Sequence, residues 1–145
     1  MPQESTAVVL GGGGLAGIGW TIGALAALEE SGVLRFGLRR GGSRTVFTSG
    51  SGVGLVDALT ASCAVPGLWP VVRIDDADYI DGGTFSLTNA ELAHDADHVI
   101  VLQPMPELPV YATAERQEVF DRAVVIEPSE RAHAGFGSDP FDPDV

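Results

Sequence analysis

Four consecutive glycines, Gly11 to Gly14, directly follow the apolar run Ala7-Val8-Val9-Leu10. No other feature of the chain constrains its fold as strongly. A short apolar run that ends on glycine reads as a buried strand. The stretch after it, Ala16 to Glu30, is rich in Ala, Leu and Ile and closes on Glu29-Glu30-Ser31-Gly32. That pattern predicts a helix with Gly32 as its C-cap. The opening is therefore strand, glycine loop, helix. Glycine tolerates φ > 0 and leaves bare backbone that a ligand can approach. The helix aims unpaired N–H groups and the positive end of its dipole at the same place. Such a loop holds either a phosphate or the oxyanion of a tetrahedral acyl intermediate. A plain tight turn is the bland alternative, and four glycines exceed what a turn requires.

Gly12, Gly14 and Gly17 also satisfy G-x-G-x-x-G. The dinucleotide fingerprint further needs a second strand that ends on an acid about 20 residues later. Here the corresponding stretch, Gly32-Val33-Leu34-Arg35-Phe36-Gly37, ends on none. Arg39-Arg40 is compatible with a 2′-phosphate, but no strong strand pattern precedes it. A dinucleotide-binding module stays the lesser alternative.

Farther along, Phe36 to Arg44 shows no clear periodicity, and Thr45-Val46-Phe47 reads as a short strand. Leu55 to Cys63 reads as a short helix stopped by Pro66-Gly67 and Pro70. Val71 to Ile74 and Tyr79-Ile80 read as a hairpin around the acidic turn Asp75-Asp76-Ala77-Asp78. Asp81-Gly82-Gly83 follows at once. A carboxylate at a strand end projects over the carboxyl edge of a parallel sheet, where α/β sites usually lie. The bland reading is that Asp-Gly marks turns in general. Asn89 is placed to cap a short helix over Ala90 to Ala93. His98 to Leu102 and Ala123 to Ile126 are apolar strands, each stopped by a proline. Strands alternating with helices predict an α/β fold, and the Val- and Ile-rich strands predict burial on both faces. Residues 1–134 read as one domain and 135–145 as a flexible tail.

Charge narrows the partners. Twenty acidic residues face eight basic ones, a formal net charge of -12. Nucleic acid and anionic membrane surfaces both need a basic footprint, so neither is an expected partner. The chain has no lysine, which excludes a P-loop phosphate lysine. Cys63 is the single cysteine, so no internal disulfide forms, in keeping with a reducing cytoplasm. Met1-Pro2-Gln3-Glu4 carries no basic n-region, so no signal peptide is expected. The glycines within Ala7 to Leu28 argue against a transmembrane helix. His94, His98 and His133 form no zinc pattern, and Asp75, Asp76 and Asp78 lack the calcium loop, so no metal site is expected.

Taken together, V-V-L-G-G-G-G-L-A-G-I-G-W (Val8 to Trp20), A-S-C-A-V-P-G-L-W-P (Ala61 to Pro70) and Y-I-D-G-G (Tyr79 to Gly83) resemble the patatin-like phospholipase family in its bacterial branch. The stretches S-L-T-N-A-E-L-A, H-V-I-V-L and V-V-I-E-P-S, and Phe141 to Pro143, are similar as well. The resemblance implies a three-layer α/β sandwich, a central sheet with helices on both faces. It implies ester hydrolysis of a lipid or small ester by a serine–aspartate dyad without a cofactor. Asp81 would be the base, Gly82 and Gly83 its motif partners. Gly12, Gly13 and Gly14 would supply the oxyanion hole, with Gly17 supporting the loop.

The pattern breaks at the nucleophile. No G-x-S-x-G turn occurs in the chain. After Val33-Leu34-Arg35 the sequence passes to the segment that precedes the aspartate, so the nucleophile strand and its elbow are missing. A second, shorter gap is expected near Val110-Tyr111. Ser49 and Ser51 flank a Gly-x-Gly-x-Gly stretch, Gly50 to Gly54, but Gly52 stands where a nucleophile would. Cys63 reads as a small buried apolar residue. The expectation is a patatin-like hydrolase with impaired catalysis. The alternative is a non-catalytic lipid- or partner-binding fragment or degenerate product. Loss of a central strand exposes sheet edges, so self-association is expected.

Overall fold

The computed structural model of the chain describes residues 4–14, 16–17, 19–21, 36–40, 43–48, 50–137 and 139. The described residues form two sheets. In the first, β1 (Thr6–Leu10), β6 (His98–Leu102) and β7 (Val124–Ile126) run parallel in the order β1-β6-β7. Val8 stands opposite Ile100, and Val101 opposite Val125. In the second, β2 (Phe36–Arg40), β3 (Ser43–Phe47), β4 (Val72–Ile74) and β5 (Ala77–Ile80) form an antiparallel sheet in the order β3-β2-β5-β4. Helix α1 (Leu55–Ser62) precedes β4, while α2 (Ala114–Arg122) joins β6 to β7 and α3 (Glu130–Ala134) follows. This is the expected mixed α/β class, with an antiparallel sheet of which the sequence pattern announced the β4–β5 hairpin and β3 but not β2. The predicted helix from Ala16 is helical at 16–17 and 19–21. Its remainder and its Gly32 cap lie outside the described residues, as does most of the expected tail.

Each sheet has its own core. Ala7 and Val9 of β1 and Val99 and Val101 of β6 alternate onto one face, as the two-residue period of a strand requires. They pack against Ala90 and Ala93 and against Val119 of α2. In the second core Phe47, Ala77 and Tyr79 pack against Ala58 and Ala61 of α1. The Phe47 and Tyr79 rings lie 5.2 Å apart at 54°, a tilted pairing that suits their quadrupoles. Arg44, Glu91 and Arg116 join the two halves. Glu91 accepts from Arg44 Nη1, and from Arg116 Nε at 2.8 Å.

Four expectations need correction. The hairpin turn is only Asp75-Asp76, because Ala77 is already in β5 and buried, with Asp75 taking φ 53°. β7 is not buried: Val124, Val125 and Ile126 are 62%, 38% and 37% exposed. It is a three-residue strand paired, among the described residues, to β6 alone. No helix is predicted between His98–Leu102 and Ala123–Ile126, yet α2 forms there, following a 3-10 turn at Pro109–Tyr111. Asn89 does not cap the Ala90–Ala93 turn through its side chain. It adopts φ 50° and donates from Nδ2 to the carbonyls of Ser86 and Gly82. Among the described residues no helix is long and apolar enough to cross a membrane.

Candidate active site

The glycine loop leaves β1 at the carboxyl edge of the parallel sheet. Gly11 N–H donates to the Leu102 carbonyl at 2.7 Å and extends the β1–β6 pairing by one residue. Gly17 N–H donates to the Gly13 carbonyl at 2.8 Å, the first helical hydrogen bond. Gly13 therefore stands at the cap, and the N–H of Gly14 belongs to the first turn, which has no intrahelical acceptor. Gly14 has φ 61°, a conformation that favours glycine. Packing explains two of the other glycines. A Cβ on Gly13 would lie 2.7 Å from Pro104 Cβ, and one on Gly17 would lie 3.0 Å from it. Fully buried Pro104, two residues beyond β6, thus presses the loop into place.

Gly12 is different. Its N–H donates to the Leu87 carbonyl at 2.6 Å, so in this arrangement it is engaged within the protein. Gly13 and Gly14 are the loop's other candidate donors.

Asp81 follows β5, a strand of the antiparallel sheet and not of the parallel one expected, and caps the 3-10 turn Gly82–Thr84. Its N–H donates to the Ala64 carbonyl at 3.0 Å, and its Oδ1 accepts from Gly83 N–H at 2.5 Å. A Cβ on Gly83 would lie 2.8 Å from that same oxygen, so a larger residue there would turn the Asp81 carboxylate aside. Burial pushes the Asp81 carboxyl above its ordinary range, and the Gly83 hydrogen bond only partly offsets this. Cys63 is half-buried beside it. Burial, and then the charge of Asp81, push the thiol up, so Cys63 is held as an unreactive thiol.

A hydrogen-bonded framework joins the aspartate turn to the glycine loop. Asn89 Nδ2 binds the Gly82 and Ser86 carbonyls, and Ser86 N–H donates to Gly82 O at 3.3 Å. Leu87, next in the chain, takes the Gly12 N–H. Glu107 fixes this connecting turn. Its carboxylate accepts from Ser86 Oγ, from the N–H groups of Leu87 and Thr88 at 3.0 and 3.1 Å, and from Thr88 Oγ1 at 2.5 Å. Neither Glu107 nor Arg116 stood out in the sequence. The one available signal for Glu107 is a lone acid within Pro104-Met105-Pro106-Glu107-Leu108-Pro109, after a buried strand.

The remaining candidates fall outside the framework. Ser51 is exposed, and its Oγ accepts from Thr48 N–H at 2.8 Å in a turn well before α1 begins at Leu55. Ser49 lies outside the described residues. His94 and His98 are exposed and face Asp95 and Glu4. Asp76 and Asp78 pair with Arg73 in solvent.

Residues 39–94 match the family model described as Patatin-like phospholipase. The matched stretch runs from the end of β2 through α1 and the β4–β5 hairpin to the aspartate turn and the Ala90–Ala93 turn, and it is patatin-like by sequence. The glycine loop precedes it. No curated protein matches the chain.

Proposed function

We propose that this chain keeps the general base and oxyanion loop of a patatin-like acyl hydrolase and lacks its nucleophile. The observation that carries the proposal is Asp81, a half-buried carboxylate at a strand end whose proton affinity is raised by burial. A raised carboxylate in a structured turn suits proton abstraction better than an ordinary surface acid does. In a complete site a serine oxygen would bond to the ester carbonyl carbon and pass its proton to Asp81. The carbonyl oxygen would carry the charge, held by the N–H groups of Gly13 and Gly14. The proton would then leave Asp81 with the departing alcohol. Without the serine turn, the electron pair for the first bond has no protein source. What remains is a base and an oxyanion site, worth on the order of 10³–10⁴ over water.

The substrate class is a lipid or small ester, and the setting proposed is cytoplasmic, in keeping with the single cysteine. Hydrolysis of nitrophenyl butanoate by the parent and by Asp81→Asn tests the proposal. The parent should exceed buffer weakly, by no more than about 10³–10⁴, and the variant should be slower than the parent, keeping only what the oxyanion loop and binding contribute. Equal rates in both proteins would remove Asp81 from the reaction. A second reading, a non-catalytic protein that binds a partner or a second copy, is favoured by the exposed apolar residues of β7.

A further inference from the structure

A cleft of about 290 Å³ opens beyond the carboxyl end of β6, between the loop that follows it and α2. Gln103, Glu107 and Leu108 line it from the loop, and Arg116, Gln117 and Phe120 from one face of the helix. Clefts at the carboxyl ends of parallel strands are common ligand positions in α/β folds. This one lies at the small end of the range for ligand pockets.

Its wall holds an unusual charge. The Arg116 side chain is only 5% exposed. Its Nε is satisfied by Glu91, but its Nη1 is buried with no hydrogen-bond partner among the described residues. A buried guanidinium donor without an acceptor is costly, and its planar fork matches a carboxylate. Gln103 is also buried, with its N–H donated to the Ile126 carbonyl. Glu107 does not neutralise the cleft, because its oxygens are turned to donors of Ser86, Leu87 and Thr88. Leu108 and Phe120 supply apolar walls.

We propose that this cleft binds a small carboxylate with a short apolar tail. Arg116 and Gln103 take the carboxylate, and the tail lies against Leu108 and Phe120. A monoanion suits a guanidinium whose Nε already serves Glu91 and which has one donor left to satisfy. Glu107 also accepts from Leu87 N–H, and the Leu87 carbonyl takes the Gly12 N–H, so the cleft is linked to the glycine loop through these two residues. The inference stands apart from the ester reading and does not involve Asp81.

The test uses the full ¹⁵N-labelled chain, titrated separately with hexanoate, hexanol and inorganic phosphate. Hexanoate should give saturable shifts at the Gln103, Gln117 and Phe120 amides and at the Arg116 Nε–H. Hexanol and phosphate should each bind at least about tenfold more weakly, because one lacks the charge and the other the tail. Leu108→Trp, at a half-exposed wall position, should weaken hexanoate about tenfold with an unchanged circular dichroism spectrum. Hexanol binding as tightly as hexanoate, phosphate binding more tightly, or shifts that do not saturate would each overturn the proposal. These ligand comparisons need no variant.

Discussion

The Gly12 N–H donates to the Leu87 carbonyl at 2.6 Å, and this one contact ties the loop after β1 to the turn after Asp81. The two motifs lie about 70 positions apart in the sequence, and each is a common turn signal by itself. The contact depends on Leu87 being held in place, and Glu107 holds it.

Glu107→Ala removes the acceptor shared by Ser86, Leu87 and Thr88. Backbone N–H groups left without a partner in a partly buried turn cost more than the bonds themselves contribute. The variant should lose about 2–3 kcal/mol of stability, read from urea unfolding midpoints. Glu107→Gln keeps one acceptor oxygen and should lose less.

The glycine loop separates packing from conformation. A methyl on Gly13 meets Pro104 Cβ at 2.7 Å and Gly17 Cα at 2.9 Å, whereas one on Gly12 meets Leu87 at an ordinary 3.5 Å. Gly13→Ala should therefore cost about 1–3 kcal/mol by overpacking. Gly12→Ala should cost less than about 1 kcal/mol. Thermal melts of the two variants side by side check the order.

Glu91 holds Arg116 and Arg44 between the two halves of the fold. Burial raises its carboxyl, but the hydrogen bonds from Arg116 and Arg44 outweigh burial and bring it below its ordinary value. Its contribution is then fully present above the ordinary value of 4.5 and is lost as pH falls through the folded value. Glu91→Ala leaves the buried Arg116 uncompensated and should cost about 3–5 kcal/mol at neutral pH, with a smaller acid dependence than the parent.

Asp81 has the opposite sign. Its folded carboxyl is raised, so its contribution is fully present below the ordinary value of 3.8 and is lost as pH rises through the folded value. Asp81→Asn keeps an acceptor for the Gly83 N–H without the buried charge. The variant should be more stable than the parent at pH 7 and should lose that advantage toward acid pH. Denaturant titrations at several pH values read this directly. A stabilising substitution at a proposed base is the signature of a residue kept for chemistry and not for the fold.

Several elements were legible because their signal is local. Val8 and Val101 sit in apolar runs bounded by glycine or proline, and those strands form where predicted. The resemblance reached Asp81 because the family match includes that turn. β2 was not legible: Gly37 and the Arg39-Arg40 pair show no alternation, and the strand is set by its partners β3 and β5. α2 was missed because its inward positions include Arg116 beside Val119, so it shows no apolar stripe. The role of Glu107 depends on a loop folding back some twenty positions onto Leu87, which no local pattern encodes. The burial of Arg116 depends likewise on Glu91 being carried to it by a different element.

The central claim is that the base and oxyanion loop persist without a nucleophile. Intact-mass analysis of the full chain after incubation with a serine-reactive fluorophosphonate tests it most directly. The account predicts no stoichiometric adduct, in the parent or in Asp81→Asn. A single adduct on a serine such as Ser49 or Ser51, formed in the parent and lost in Asp81→Asn, would contradict it.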